Sequence, residues 1–205
     1  DFIEKWQDHP LIKPTIAPHA PYSNTEETLR NSAELAQQYN RPLMIHIAET
    51  EREQHDSIEQ YGKSVVPWLK DQGILDVPII AAHCVHIDEH EMRMLKKANG
   101  SVAHCPSANL KLASGIAPIA QMLEMGLNVA IGTDGPASNN DLDMFEEMRL
   151  AALLAKVTPK NPTALPAKQA LQMATINGAI ALGMGDVTGS LEVGKLADMI
   201  VMDAQ

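Results

Sequence analysis

Five polar side chains stand where runs of apolar residues end: His19, His46, His83, His104 and Asp134. Imidazole and carboxylate together form the donor set that suits zinc or a similar divalent ion, and a catalytic ion keeps one position open for water. His46 and Asp134 are the pair expected to hold it. Glu49 lies three residues beyond His46, at the loop edge, where a carboxylate can face a substrate held over the ion. The competing reading of Glu49 is a helix N-terminal carboxylate favoured by the macrodipole, for which Thr50 to Glu53 gives support. A lone His in an apolar run is more often a hydrogen-bonded core residue, but four of them and an Asp at five successive run ends point jointly to a site.

Those run ends gain meaning from the elements that carry them. Five apolar runs of strand length are each followed by a polar loop and a stretch of helical periodicity, the pattern of βα units around a parallel sheet. They cover residues 11–17, 42–48, 77–84, 101–105 and 128–132. In parallel α/β barrels, catalytic groups project from the C-terminal ends of the strands. Helices are expected to open near Ser23-Asn24-Thr25 and to cover residues 88–98, 142–156 and 166–183, the last with Pro at its first turn and Gly near its end. Beyond Gly185 the chain changes character: glycines punctuate short pieces, and residues 196–202 form a final strand-like run with no helix after it. The expected division is a barrel portion over 1–184 and a small β appendage over 185–205.

Composition bounds the partners. The chain has 205 residues, 45% of them apolar, with a formal net charge of −10. It carries no basic block, so phosphate backbones and anionic membrane surfaces are poor partners. Aromatic residues make up 3%, too few for a base-stacking platform. No run reaches the length of a spanning helix, and the first residues lack the pattern of a signal peptide. Cys84 and Cys105 each follow a His within an apolar run, the setting of buried free thiols, so a reducing cytoplasm is expected.

Three other motifs fail. His90-Glu91-Met92-Arg93-Met94 begins like a helical zinc-protease motif but has Met where the second His is required, and reads as a solvated helix face. Gly189 to Lys195 has the glycine spacing of a phosphate loop, but Leu196 replaces the Ser or Thr that would hold magnesium. No Cys-x-x-Cys pair exists, which excludes a zinc ribbon and the cytidine-type deaminase signature. The eleven methionines read as core filler.

With these residues in place, the chain resembles the amidohydrolase superfamily, and within it the deaminases of 5'-methylthioadenosine and S-adenosylhomocysteine. The resemblance rests on Ala17-Pro18-His19-Ala20-Pro21-Tyr22, Met44-Ile45-His46-Ile47-Ala48-Glu49-Thr50 and Ala81-Ala82-His83-Cys84-Val85-His86. It continues through Ser107-Ala108-Asn109-Leu110-Lys111-Leu112-Ala113-Ser114-Gly115, through Gly132-Thr133-Asp134-Gly135-Pro136-Ala137-Ser138-Asn139-Asn140, and through Gly189-Ser190-Leu191-Glu192-Val193-Gly194-Lys195-Leu196-Ala197-Asp198. The last stretch is similar to strands that complete a small β-sandwich beside the barrel.

The resemblance implies a (β/α)8 barrel of the metal-dependent hydrolase type and hydrolytic deamination of an adenosine-type substrate. His46 and Asp134 would be ligands of one divalent ion, zinc before iron or manganese. Glu49 would contact the adenine ring and shuttle protons, His83 would position the attacking water and departing amine, and His19 would contact the ribose. Asp134 would also take the proton of the water, beside the substrate. His86 and His104 are read as structural. The implied partner is a small purine nucleoside, and the intact enzyme is expected to be a homo-oligomer. Guanine-type and s-triazine aminohydrolases of the same superfamily are the neighbouring readings.

Members of this family take two further ligands from a His-x-His pair at the first barrel strand, and this sequence supplies none. A full barrel needs eight βα units and about 250 residues; five units are legible here. The chain therefore reads as the C-terminal portion of such an enzyme. By itself it is expected to bind metal weakly or not at all, to lack turnover, and to associate through an open barrel edge. The alternative of another class is a folded, associating unit whose histidines do no chemistry.

Overall fold

In the computed structural model, residues 2–203 are described. Four parallel strands, β1 (Leu43–Ile47), β2 (Ile79–His83), β3 (Ser101–His104) and β4 (Asn128–Ile131), form one sheet in the order β1-β2-β3-β4. Sequential order without reversal is the winding of a barrel segment; a doubly wound sheet would reverse at a switch point. Among the described residues eleven α-helices accompany it: α1 (Phe2–Trp6), α2 (Glu26–Gln38), α3 (Glu51–Tyr61), α4 (Val65–Asp71), α5 (Glu89–Lys97), α6 (Pro106–Lys111), α7 (Ile119–Glu124), α8 (Pro136–Asn139), α9 (Met144–Val157), α10 (Ala167–Met173) and α11 (Ile176–Ala181). The α/β architecture with later βα units of a barrel agrees with the sequence reading.

The two faces of the sheet have different jobs. Leu43, Ile45, Ile47, Ile79, Ala81, Val102, Val129 and Ile131 join the buried core with α2, α4, α5 and α7 residues such as Leu29, Leu69, Leu95 and Met122. The alternate residues Met44, His46, Ile80, Ala82, Ala103 and Ala130 line a cavity of about 530 Å³. Register places His46 beside Ala82, Ala82 beside Ala103 and Ala103 beside Ala130. Three small side chains at one level leave space next to the imidazole.

Local chemistry explains most boundaries. Thr25 caps α2, its hydroxyl accepting from Thr28 N, and Thr50 caps α3 by accepting from Glu53 N. α5 opens with a full capping box between Asp88 and Glu91. Asp143 caps α9 by accepting from Phe145 N, one residue after Leu142, which at φ 59° cannot continue a helix.

Four expectations need correction. The run at residues 11–17 makes only a single bridge, Ile16 to Leu43. Pro10, Pro14 and Pro18 remove backbone donors at four-residue intervals, although Ile16 O and His19 O still accept from Met44 N and His46 N at 2.9 and 3.0 Å. The helix expected over 166–183 is two helices. Thr175 breaks it with φ −129° and ψ −96°, its hydroxyl donating back to Leu171 O at 2.7 Å. Residues 196–202 form no strand; with no ladder partner among the described residues, Ile200 and Val201 stay 75% and 99% exposed. The helix face at His90–Met94 is not wholly solvated, since Glu91 and Met92 are buried.

Candidate active site

The strand ends converge. His46 points its ring toward the cavity because its Nδ1–H donates to the carbonyl of His19 at 2.6 Å, which leaves the Nε2 lone pair free as a ligand. The His46 and His19 rings lie 4.9 Å apart, and the His46 and His83 rings stack at 5.2 Å. Asp134 follows β4 and brings Oδ1 to 3.9 Å from His46 Nε2, while its Oδ2 accepts from Ser138 Oγ at 2.6 Å. One ligand atom from each of His46, His83 and Asp134 falls within a mutual 4.8 Å. Two bonds of roughly 2 Å span at most about 4 Å, a reach that takes in the 3.9 Å between His46 Nε2 and Asp134 Oδ1. The donor set, two imidazoles and a carboxylate, fits a zinc-like ion, and the site has one more donor than the pair read from sequence.

Glu49 is not used as a helix cap. Thr50 caps α3 and Glu53 in the first turn accepts from Glu49 N at 2.9 Å, so the Glu49 carboxylate is free to turn inward. There Oε1 accepts from Ser114 Oγ at 3.1 Å and Oε2 lies 3.9 Å from His83 Nε2. Burial, reinforced by the nearby Glu49 charge, pushes the Glu53 carboxyl up to about 7, and its Oε1 is buried without a partner.

His83 is buried, with Nδ1 2.8 Å from Asn109 Oδ1. His19 is exposed on the site side, held by a 2.7 Å contact between its Nδ1 and Ser23 Oγ. The backbone at the strand ends is strained: Ala48, His83, Cys84 and Asp134 have φ of 49°, 69°, 49° and 60°. His104 lies apart from the cluster. It is buried, and that burial drives its pKa down to about 3, keeping it neutral. His86 donates from Nε2 to Ser114 O at 2.7 Å. Cys84 and Cys105 are free and buried, and burial pushes the Cys105 thiol up to about 12, an unreactive state.

The structure thus brings together His19, His46, Glu49, His83 and Asp134. The residues that sequence reasoning left without a role are those holding them: Ser23, Glu53, Asn109, Ser114 and Ser138. Ser23 and Ser138 lie four residues beyond the site residue each one holds, a spacing visible in the sequence, whereas Asn109 and Ser114 lie 26 and 65 residues from theirs. Glu147 adds a deeper brace, accepting from Ser107 N at 3.2 Å and Asn139 Nδ2 at 2.6 Å, which ties the segments after β3 and β4 together.

The model of the Amidohydrolase family matches residues 2–205. A 5-methylthioadenosine/S-adenosylhomocysteine deaminase of Moorella thermoacetica is 51% identical over 94% of this chain and 45% of its own length. A 5'-deoxyadenosine deaminase of Methanosarcina acetivorans is 50% identical over 98% of this chain and 47% of its own. The crystal structure of an adenosine deaminase from Xanthomonas campestris with bound zinc superposes with a TM-score of 0.92 at 46% identity, covering 95% of this chain and 44% of that one. The chain spans less than half the length of each.

Proposed function

Since the chain belongs to the amidohydrolase family, we propose that the protein carrying it deaminates an adenosine-type nucleoside hydrolytically, releasing ammonia. The observation that carries this reading is the convergence of His46, His83, Asp134 and Glu49 at one end of the sheet. His46 and Asp134 would hold one divalent ion, zinc in preference to iron or manganese, which supplies Lewis acidity and a water of lowered pKa. Asp134 takes the proton of the attacking water as its oxygen bonds to C6 of the purine. Glu49 protonates N1, so that the ring accepts the electron pair. His83 holds the water on entry and the amine on departure. As the C6–N bond breaks, Asp134 passes the water's proton to the amine, which leaves as ammonia, and the C6 hydroxyl proton passes to Glu49, so that an inosine-type product with a C6 carbonyl remains. His19 contacts the ribose.

The relatives' names support an adenosine-type substrate. Residues 185–205 would belong to an accessory β unit whose other strands lie outside this chain; the exposed apolar side chains of 199–202 support that division. No helix among the described residues is long and apolar enough to cross a membrane; a cytoplasmic, homo-oligomeric enzyme is the setting proposed. The test is ammonia release by the full-length protein with 5'-methylthioadenosine, S-adenosylhomocysteine, adenosine, guanine and an s-triazine. Release from the adenosine compounds and from neither of the others is expected; inactivity on all three adenosine compounds would overturn the assignment.

A further inference from the structure

β3 is the one strand whose own histidine stays outside the cluster, yet the segment after it reaches the site twice. Asn109 in α6 is buried and places Oδ1 2.8 Å from His83 Nδ1. Ser114, in the turn beyond α6, donates from Oγ to Glu49 Oε1 at 3.1 Å. The partners stand 26 and 65 residues away in sequence, so neither contact is a by-product of local chain geometry. The two residues are themselves joined, Ser114 N donating to Asn109 O at 2.8 Å. Ser114 O is pinned from the other side by His86 Nε2. The turn closes on Gly115 at φ +123°, where a Cβ would come within 3.0 Å of Val85 Cγ1.

We propose that Asn109 and Ser114 are positioning residues, the first fixing the tautomer of His83 and the second the orientation of Glu49; this rests on the deaminase reading above. A neutral imidazole carries one N–H. Donated from Nδ1 to the Asn109 oxygen, that proton leaves Nε2 as a lone pair facing Glu49 Oε2 at 3.9 Å. Nε2 can then accept a hydrogen from water or from the departing amine. The other tautomer would present an N–H toward Glu49 Oε2 and would require the Asn109 amide to turn, bringing to Nδ1 the Nδ2 group that is buried without a partner. The orientation found, with Oδ1 toward Nδ1, goes with the Nδ1–H form. Ser114 acts in parallel. Its hydroxyl occupies Oε1, so the carboxylate cannot rotate freely and Oε2 is the oxygen offered to the substrate.

The experiment is a long-range proton–nitrogen correlation spectrum of the histidine rings in the full-length protein. Wild type would be compared with Asn109→Leu, Asn109→Asp and Ser114→Ala, and His83 identified by its loss in His83→Gln. The expected wild-type signal is the Nδ1–H tautomer. Asn109→Leu should lose it and lower kcat for ammonia release by about 10²–10⁴-fold with KM little changed, the scale of a lost acid–base function, a wrong tautomer elsewhere costing about 10⁴. Asn109→Asp keeps an acceptor and should restore the Nδ1–H form. Ser114→Ala should lower kcat about 10-fold, the scale of one hydrogen bond to a charged group. An Nε2–H tautomer in wild type, or an Asn109→Leu protein unchanged in tautomer and kcat, would overturn the proposal. Should Asn109→Leu fail to fold, the wild-type and Asn109→Asp spectra decide. Should wild type release no ammonia from any adenosine compound, the functional reading falls while the tautomer still decides this one.

Discussion

At the C-terminal ends of β1, β2 and β4 the chain leaves the sheet through left-handed non-glycine residues, Ala48, His83 and Asp134. At the opposite ends it arrives through Pro42, Pro78, Gly100 and Gly126, and the left-handed non-glycine residues there are Asn40 and Asn99, of the residue type that adopts that region most readily. A non-glycine residue held in that region costs of order 1–3 kcal/mol, and the fold bears this cost at the end where it re-aims titratable side chains. The other end has a cavity too, about 650 Å³, lined by Arg41, Lys96, Asn99 and Asn128 among others but by no His or carboxylate. Size therefore does not mark the site. What marks it is left-handed backbone at Ala, His and Cys rather than only at Asn, together with convergent groups whose free nitrogens and oxygens are set by hydrogen bonds.

The comparison breaks if substitutions at the two ends have similar effects. His46→Gln should have the largest: metal content lost and ammonia release abolished, exceeding the roughly 10- to 100-fold that losing a ligand's hydrogen-bond partner costs. Elemental analysis of the purified variant checks it. Gly100→Ala, at the other end, should act on stability alone. Its Cβ would meet Ile79 Cγ2 at 2.9 Å and Leu95 O at 3.0 Å, an overpacking worth about 1–3 kcal/mol, read by urea unfolding with KM and metal content unchanged.

The Glu53 carboxyl sharpens the same contrast through pH. Its pKa rises on folding to about 7, so the folded state binds the extra proton. The stability this contributes is fully present below the ordinary carboxylate range and is lost as the pH rises through about 7. Glu53→Gln should remove that loss and stabilise the protein at pH 8 by about 1–3 kcal/mol relative to pH 5, measured by urea unfolding at both values. His104 has the reverse sign: buried neutral, with its pKa near 3, it withdraws stability as the pH falls below the ordinary His range.

The parallel strands and the meeting of the five candidate site residues are legible in the sequence because each imidazole or carboxylate interrupts or ends an apolar run, and period and run length are local signals. The sheet strands end within about two residues of their expected limits, since Ala48 and Cys84 stop the ladders by turning left-handed. What was not legible depends on distant partners. A strand at 11–17 needs free N–H groups to build a ladder beside β1, and its prolines leave it one bridge. The break at Thr175 is local in cause, yet Asn177 shows why it is tolerated: it bonds Val129 O and receives Asn128 Nδ2 across the sheet. Asn109 and Ser114 fall within a stretch that carries the family resemblance, but no role is legible for them because their partners lie 26 and 65 positions away.

The central claim is that Glu49 moves protons at a centre whose metal is held by other residues. Ammonia release from 5'-methylthioadenosine and metal content, measured on one preparation of full-length Glu49→Gln, test it most directly. The account predicts a fall in kcat of about 10²–10⁴-fold with metal retained. An undiminished rate, or a loss of activity that follows a loss of metal, would contradict it.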